Sequence, residues 1–399
     1  MANGTRFGKT GFGACALFAL LAVACGGDPV RHVPDNVPPV ITLNGANHID
    51  QPQNKAYADM GATATDDVDG DITSSITIVN PVNVAVVGVY MVTYNVSDAA
   101  GNVAASVSRT VNVAAPGVWM PSSSGTTNTL NDVAWSGTKF VVVGASGTIL
   151  TSPDGITWTT QVSGTTDLLT GVVWGGTKFV AVGGSFDTAG TILTSLDGVT
   201  WTPRTSGVAN RLDGVTWTGT KFVAVGGPVV STDPAIIVTS LDGSIWTTQT
   251  PSTVNQLLRL TWSGTQVVAV GQLGTVMTST DAITWTPRTC GTTSALNAVA
   301  WTGSQFVAVE ATGLVFTSPD AVTWLQQVSG TTLRLYGVGW SGAELVVVGN
   351  QGLILTSPDG VSWTAAVSGT NNALLGITWS VDLSRYVAVG VNGTILTRS

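Results

Sequence analysis

The chain runs to 399 residues, room for two or three domains, with 44% hydrophobic but only 10% charged residues. Thr, Ser, Gly and Val dominate and the only glutamates are Glu310 and Glu344, a composition that suits β-structure with a neutral polar surface and leaves few positions for helix. The formal charge of −8 excludes the basic footprint of a nucleic-acid binder, so no nucleic-acid partner is expected.

Residues 1–24 read as a signal peptide. Arg6 and Lys9 form a positive start, and "ACALFALLAVA" (14–24) is an apolar run too short to span a bilayer. The run ends in "LAVAC", which resembles the lipobox of bacterial lipoproteins, although Ala22 stands where that family more often has Leu. The resemblance implies cleavage before Cys25, lipidation of its thiol, and export to a membrane-anchored position. Gly26 in the next place is compatible with outer-membrane sorting. A plain secretory signal is the alternative. Cys15 leaves with the signal and Cys25 takes the lipid, so Cys290 has no intramolecular disulfide partner. It stands where other repeats have Ser163, Ser329 or Ser368, and a small-residue replacement is its expected role.

Residues 25–38, rich in Pro, Asp and Gly, read as a flexible tether. From there to residue 115 short alternating runs such as "VITLNG", "GVYMVTYNVSD" and "SVSRTVNVAA" are divided by Gly, Asp, Asn and Pro, as strands of a small β-sandwich are. The words "DDVDGDIT" (66–73), "GVYMVTYNVSDAAGN" (88–102) and "SRTVNV" (108–113) resemble the immunoglobulin-like domain of bacterial surface proteins. The resemblance implies a spacer or adhesive module. Asp67, Asp69 and Asp71 offer hard oxygen ligands suited to Ca2+, the one cofactor the sequence suggests. Ile72 follows where an EF-hand loop has Gly, and a solvated acidic turn is the competing reading.

Residues 116–399 are a repeat of four phrases. "LNDVAW", "KFVVVG" and "GTILTS" and their relatives each occur seven times, whereas the phrase centred on the Trp of "DGITW" follows the third only six times. The missing copy is at the front. Trp119 precedes Trp135 by 16 residues, the spacing that also separates Trp158 from Trp174 and Trp363 from Trp379. A strand from the start of the repeat therefore completes the last unit, as a closed ring needs if it is to leave no open edge. The expected fold is all-β: an N-terminal immunoglobulin-like sandwich (39–115) and a C-terminal seven-bladed propeller (116–399) closed by an N-terminal strand.

All 14 Trp lie in the repeat, and their regular spacing assigns them to the core. "SPDG" forms a tight turn between the third and fourth strands. It resembles the Asp-box of sialidase-like propellers, one residue shorter. Asp154, Asp197, Asp242, Asp281, Asp320 and Asp359 are then structural, and the Ala282 and Ala321 substitutions for Gly suggest that the left-handed turn position is not strict.

Alternating strand direction puts the two-to-three and four-to-one loops on one face. The largest length changes are in two of the two-to-three loops, which gain residues around "GSFDTAG" (184–190) and "GPVVSTDPA" (227–235). That face is the candidate binding face. Arg211, Asp213, Arg259, Arg334 and Tyr336, with Phe186 and Asp187 of the longer loop, are candidate ligand-binding residues there. Asn128, Asp167 and Asn372 are further polar departures. The reading is a monomeric, non-catalytic, surface-anchored scaffold that binds an unidentified protein or glycan. Two alternatives stand beside it. One is a sialidase-like glycoside hydrolase with an arginine clamp, Tyr336 as nucleophile and Asp213 as acid. The other is an assembly factor, since the repeats resemble the propellers that help build photosynthetic complexes.

Overall fold

The computed structural model describes residues 34–54, 56–115, 117–185, 189–227 and 234–399. The expected signal peptide (1–24) and Cys25, and with them Phe186 and Asp187, lie outside the described residues.

The first domain is a sandwich of two sheets. One joins Val40–Leu43, Ala62–Asp66 and Gly70–Asp71; the other orders His48–Pro52, Val107–Ala114, Gly88–Asn95 and Thr77–Val79. His48–Pro52 runs parallel to its neighbour and the other pairs are antiparallel. Alternation decides what is buried: Val92 and Tyr94 face the core while Val89 and Met91 of the same strand are exposed. Arg109 is fully buried among these apolar groups. It pairs with Asp59, donates to the carbonyls of Ala46 (2.9 Å) and Asn44 (2.5 Å), and meets the Tyr94 hydroxyl at 3.0 Å. A charge in that setting is tolerable only because every arm of the guanidinium finds a partner.

The second domain is seven four-stranded antiparallel sheets, the blades of a propeller. Blade 1 is Leu130–Trp135, Phe140–Gly144, Ile149–Ser152 and Thr159–Gln161, and blades 2 to 6 repeat that order. In every blade the second strand is buried throughout, because neighbouring blades cover both its faces. Val223 and Val225 of blade 3, for example, share one cluster with Leu257, Leu260 and Met277 of blade 4. Such side chains each contribute about 1.5–3 kcal/mol by burial. The tryptophans pack on these clusters: Trp119, Trp201 and Trp285 are buried and the others are partly so. Those near the ends of the first strands have ring centres 4.4–4.6 Å from that of the Phe or Tyr near the start of the second strand in five of the blades.

The ring closes as the repeat offset requires. Blade 7 orders Leu374–Ser380, Arg385–Gly390, Ile395–Arg398 and then Met120–Ser122, with Leu396 opposite Pro121 and Thr397 opposite Met120. Trp119 is buried in one cluster with Tyr386 and Trp379.

The turn between third and fourth strands is uniform. Asp154 Oδ1 accepts the amides of Ile156 (2.8 Å) and Thr157 (2.9 Å), while Ser152 Oγ accepts that of Gly155 (2.8 Å). Asp197, Asp242, Asp281, Asp320 and Asp359 accept the equivalent pair of amides. One expectation is corrected: the left-handed position is kept in all six turns, with φ of 59° at Ala282 and 60° at Ala321 against 73–79° at the glycines. The two alanines hold a conformation that is strained for L-residues, and their methyls are buried in the clusters of blades 4 and 5.

These turns also tie the blades together. Lys139 Nζ of blade 1 donates to Asp197 O of blade 2 (2.8 Å), and Lys178, Lys221, Gln266 and Gln305 repeat the clasp onto Asp242, Asp281, Asp320 and Asp359. Arg385 of blade 7 donates to Asp154 O of blade 1 at 2.7 Å. Blade 7 has no such turn, and there the pattern changes sign: Glu344 of blade 6 pairs with Arg398, and its carbonyl accepts the Tyr386 hydroxyl.

Candidate binding face of the propeller

The opposite face carries the two-to-three and four-to-one loops, which are interlocked. Gly147 N of one loop donates to Asp167 O (2.7 Å), and Gly393 N to Asn128 O (3.0 Å). Asn128 and Asn372 each donate to a threonine hydroxyl, Thr148 and Thr394, at 2.8 Å, and Thr191 donates to Asp167. All three polar departures singled out in the sequence are therefore loop latches. Around blade 1 these loops bound an open groove of about 810 Å³ lined by Asn128, Ser146, Thr148, Gln161 and Thr165.

The inner strands approach the axis closely. Each has a bulge at its second residue, where the register with the second strand shifts. Residues at the bulge reach the next blade: Asn131 donates to Leu169 O (2.8 Å), Thr170 to Leu212 O (2.7 Å) and Asn297 to Leu335 O (2.6 Å). Asp213 is blade 3's version. Its Oδ2 accepts Gln256 Nε2 of blade 4 at 2.7 Å, and its Oδ1 pairs with Arg211 at 2.5 Å. Burial pushes the Asp213 carboxyl above its ordinary range, and the Arg211 guanidinium opposes that rise.

At the third inner position five blades have Gly or Ala, because the next blade leaves no space; a Cβ on Gly214 would lie 2.7 Å from Leu258 O. Arg259 and Asp132 are the exceptions. Arg259 donates to Asp213 O (2.6 Å), Leu258 O (3.1 Å) and Thr170 O of blade 2 (3.0 Å), so one side chain bridges three blades. Asp132 Oδ2 accepts Val172 N at 3.0 Å. Burial raises the pKa of Asp132, with the Arg259 charge acting against it. Arg334 is exposed, its guanidinium 5.5 Å from the centre of the half-buried Tyr336 ring and 3.5 Å from Asn297 Oδ1.

The structure therefore brings Arg211 and Arg259 together at Asp213 in blades 3 and 4, and sets Arg334 with Tyr336 on blade 6 beside Asn297 of blade 5. Glu310, which sequence reasoning passed over, occupies the last position of a second strand, where a Cβ on the corresponding Gly226 would lie 2.1 Å from Arg211 O. Its carboxylate accepts the hydroxyls of Thr292 (2.7 Å) and Thr312 (2.5 Å). Its replacement of an otherwise constant Gly was the available signal. Cys290 is buried, its thiol pushed up by that burial, and faces Gly274 O at 3.5 Å, much as Ser329 faces Gly313 O.

In the sandwich, Asp67 is exposed, Asp69 Oδ2 accepts Ala99 N (2.7 Å) and Asp71 Oδ1 accepts Thr73 N (2.9 Å). These three carboxylates do not gather; among the described residues the acidic group that does is Asp35, Asp66 and Asp98.

Fold and face together define an all-β chain in which an immunoglobulin-like sandwich precedes a seven-bladed propeller with one clasped and one loop-bearing face. Residues 41–113 match the family model described as bacterial surface protein, Ig-like domain. No curated protein sequence matches the chain. Among solved structures the propeller is similar to YCF48 bound to a D1 peptide, at 18% identity and TM-score 0.58, covering 70% of this chain and 94% of that one. YCF48 from Cyanidioschyzon merolae aligns at 16% identity and TM-score 0.56, covering 71% and 98%. The Cps50 (Swd1) propeller domain of Myceliophteria thermophila aligns at 12% identity and TM-score 0.54, covering 71% and 99%. At these identities the likeness is one of fold.

Proposed function

We propose that this chain is a non-catalytic lipoprotein of the bacterial surface whose propeller binds a protein partner on the face of the two-to-three and four-to-one loops. Cys25 carries the lipid anchor at the outer membrane, residues 25–38 form the tether, the sandwich is the spacer, and shortened Asp-box turns frame the ring. The observation that carries the reading is the difference between the two faces. On one, the polar groups of the one-to-two turns are consumed in a repeating blade-to-blade clasp. On the other, an exposed arginine rests on a tyrosine, two of the residue types enriched where binding energy concentrates. The match to a surface-protein Ig-like family supports the location, and the likeness to a propeller solved with a bound peptide supports a polypeptide ligand. An assembly role would be one use of such a face. A glycosidase reading gains little: Asp213 has both oxygens engaged and is 3% exposed.

The test is binding of the purified full-length chain to peptide and glycan arrays, followed by Arg334→Ala and Tyr336→Ala. Each lowers affinity for the captured ligand about thirty-fold, the loss of a residue worth ~2 kcal/mol. Lys178→Ala, on the clasped face, leaves affinity unchanged. Unaltered binding in Arg334→Ala, Tyr336→Ala and Arg211→Ala together overturns the assignment of this face. Arg259→Ala is a poor probe, because it unties three blades at once.

A further inference from the structure

Three carboxylates far apart in sequence meet in the sandwich domain. Asp35 precedes the first strand, Asp66 ends the strand Ala62–Asp66, and Asp98 follows the strand Gly88–Asn95. One oxygen of each lies within 4.8 Å of the others. Asp35 Oδ1 accepts Val37 N at 3.1 Å, and Asp66 Oδ1 accepts the amides of Val68 (3.0 Å) and Asp69 (2.9 Å). Their Oδ2 atoms are buried and have no hydrogen-bond partner. Asp98 is held in place by Asn102, whose backbone amide reaches Oδ1 (2.7 Å) and whose side-chain amide reaches both Oδ2 (2.8 Å) and the Asp35 carbonyl (3.2 Å).

Two buried carboxylate oxygens without a donor, beside a third carboxylate, lack a counter-charge. Among the described residues no ion pair reaches these three carboxylates: those seen are Arg109–Asp59, Arg211–Asp213 and Arg398–Glu344. We propose that Asp35, Asp66 and Asp98 bind a calcium ion. The donors are hard oxygens from three carboxylates of the protein itself, a ligand set that suits Ca2+, whereas Mg2+ dehydrates reluctantly and is seldom held by an all-protein cage. The site lies beside the acidic turn that drew attention in the sequence but uses Asp66 from it, together with two residues from outside it. The ion fastens the segment entering the domain to loops from both sheets. Calcium thereby sets how stiffly the sandwich is held to whatever precedes it.

The experiment strips the full-length chain with EDTA and titrates it with CaCl2 by calorimetry, with thermal melts in parallel. One ion binds with a Kd of roughly 10⁻⁴–10⁻³ M, the range of extracellular calcium modules, and raises the melting temperature of the sandwich. MgCl2 binds at least about ten-fold more weakly. Asp35→Asn and Asp66→Asn each weaken calcium binding about ten-fold or more, while Asp67→Asn does not. Asp35 lies outside the strands, so its variant keeps the fold and decides the matter if Asp66→Asn does not fold. The proposal is overturned if calcium produces neither heat nor a melting shift. It is equally overturned if Asp35→Asn binds as the unaltered chain does, or if Asp71→Asn abolishes binding while Asp35→Asn does not.

Discussion

The aspartates of the blade turns show what one side chain decides. Backbone amides of Thr200 and Val199 draw the Asp197 carboxyl down to about 2, and those of Thr284 and Ile283 do the same for Asp281. In the unfolded chain the same groups titrate near ~3.9. A depressed folded-state value means stability that is complete above the unfolded value and lost as pH falls through the folded one. Denaturant midpoints should therefore hold steady down to about pH 5 and fall between about pH 4 and pH 2, with a shallower fall in Asp197→Asn. A midpoint that ignores pH across that window would remove the turns from the account of stability. The role of these aspartates was legible because Asp, flanked by Ser and Gly, is the chemistry of a tight turn. Arg109 was not legible. Its partners Asp59, Asn44 and Ala46 come from distant stretches, and nothing in "SRTVNV" marks its Arg as buried.

At the scale of elements, the strand Met120–Ser122 is short and gains its hold from what flanks it. Trp119 packs with Tyr386, and the Arg398 guanidinium lies 5.3 Å from the Trp119 ring and 5.1 Å from that of Tyr386. Trp119→Ala should destabilise the propeller by about 3–5 kcal/mol, measured by chemical denaturation, with the loss confined to the propeller's transition. A cost below about 1 kcal/mol would mean that the closing strand contributes little to the ring. This element was legible in full, because a constant Trp spacing survives even when the copy is displaced to the other end of the chain. The clasps were not. A lysine of one blade reaching a carbonyl of the next depends on how blades stack, which a repeat within one blade does not encode. Arg259 was legible as a departure, but its part in binding three blades together rather than holding a ligand follows only from the tight packing at the axis.

For the whole molecule, the proposed lipid anchor would make the sequence order also an order from membrane outward: anchor, tether, sandwich, ring. If Cys25 carries the lipid, Cys25→Ser should shift the protein from the membrane fraction to the soluble exported fraction with its fold intact, as read by fractionation and labelled fatty-acid incorporation. Retention in the membrane without the label would require another anchor. The order has a mechanical consequence. The chain that leaves the sandwich at Ala114 becomes, within a few residues, the outermost strand of the last blade. With the proposed anchor and partner in place, tension between them would bear first on that three-residue strand, before any complete blade. The seam that shuts the ring is also its weakest link under load, and peeling it would let the platform yield while six blades keep their cores.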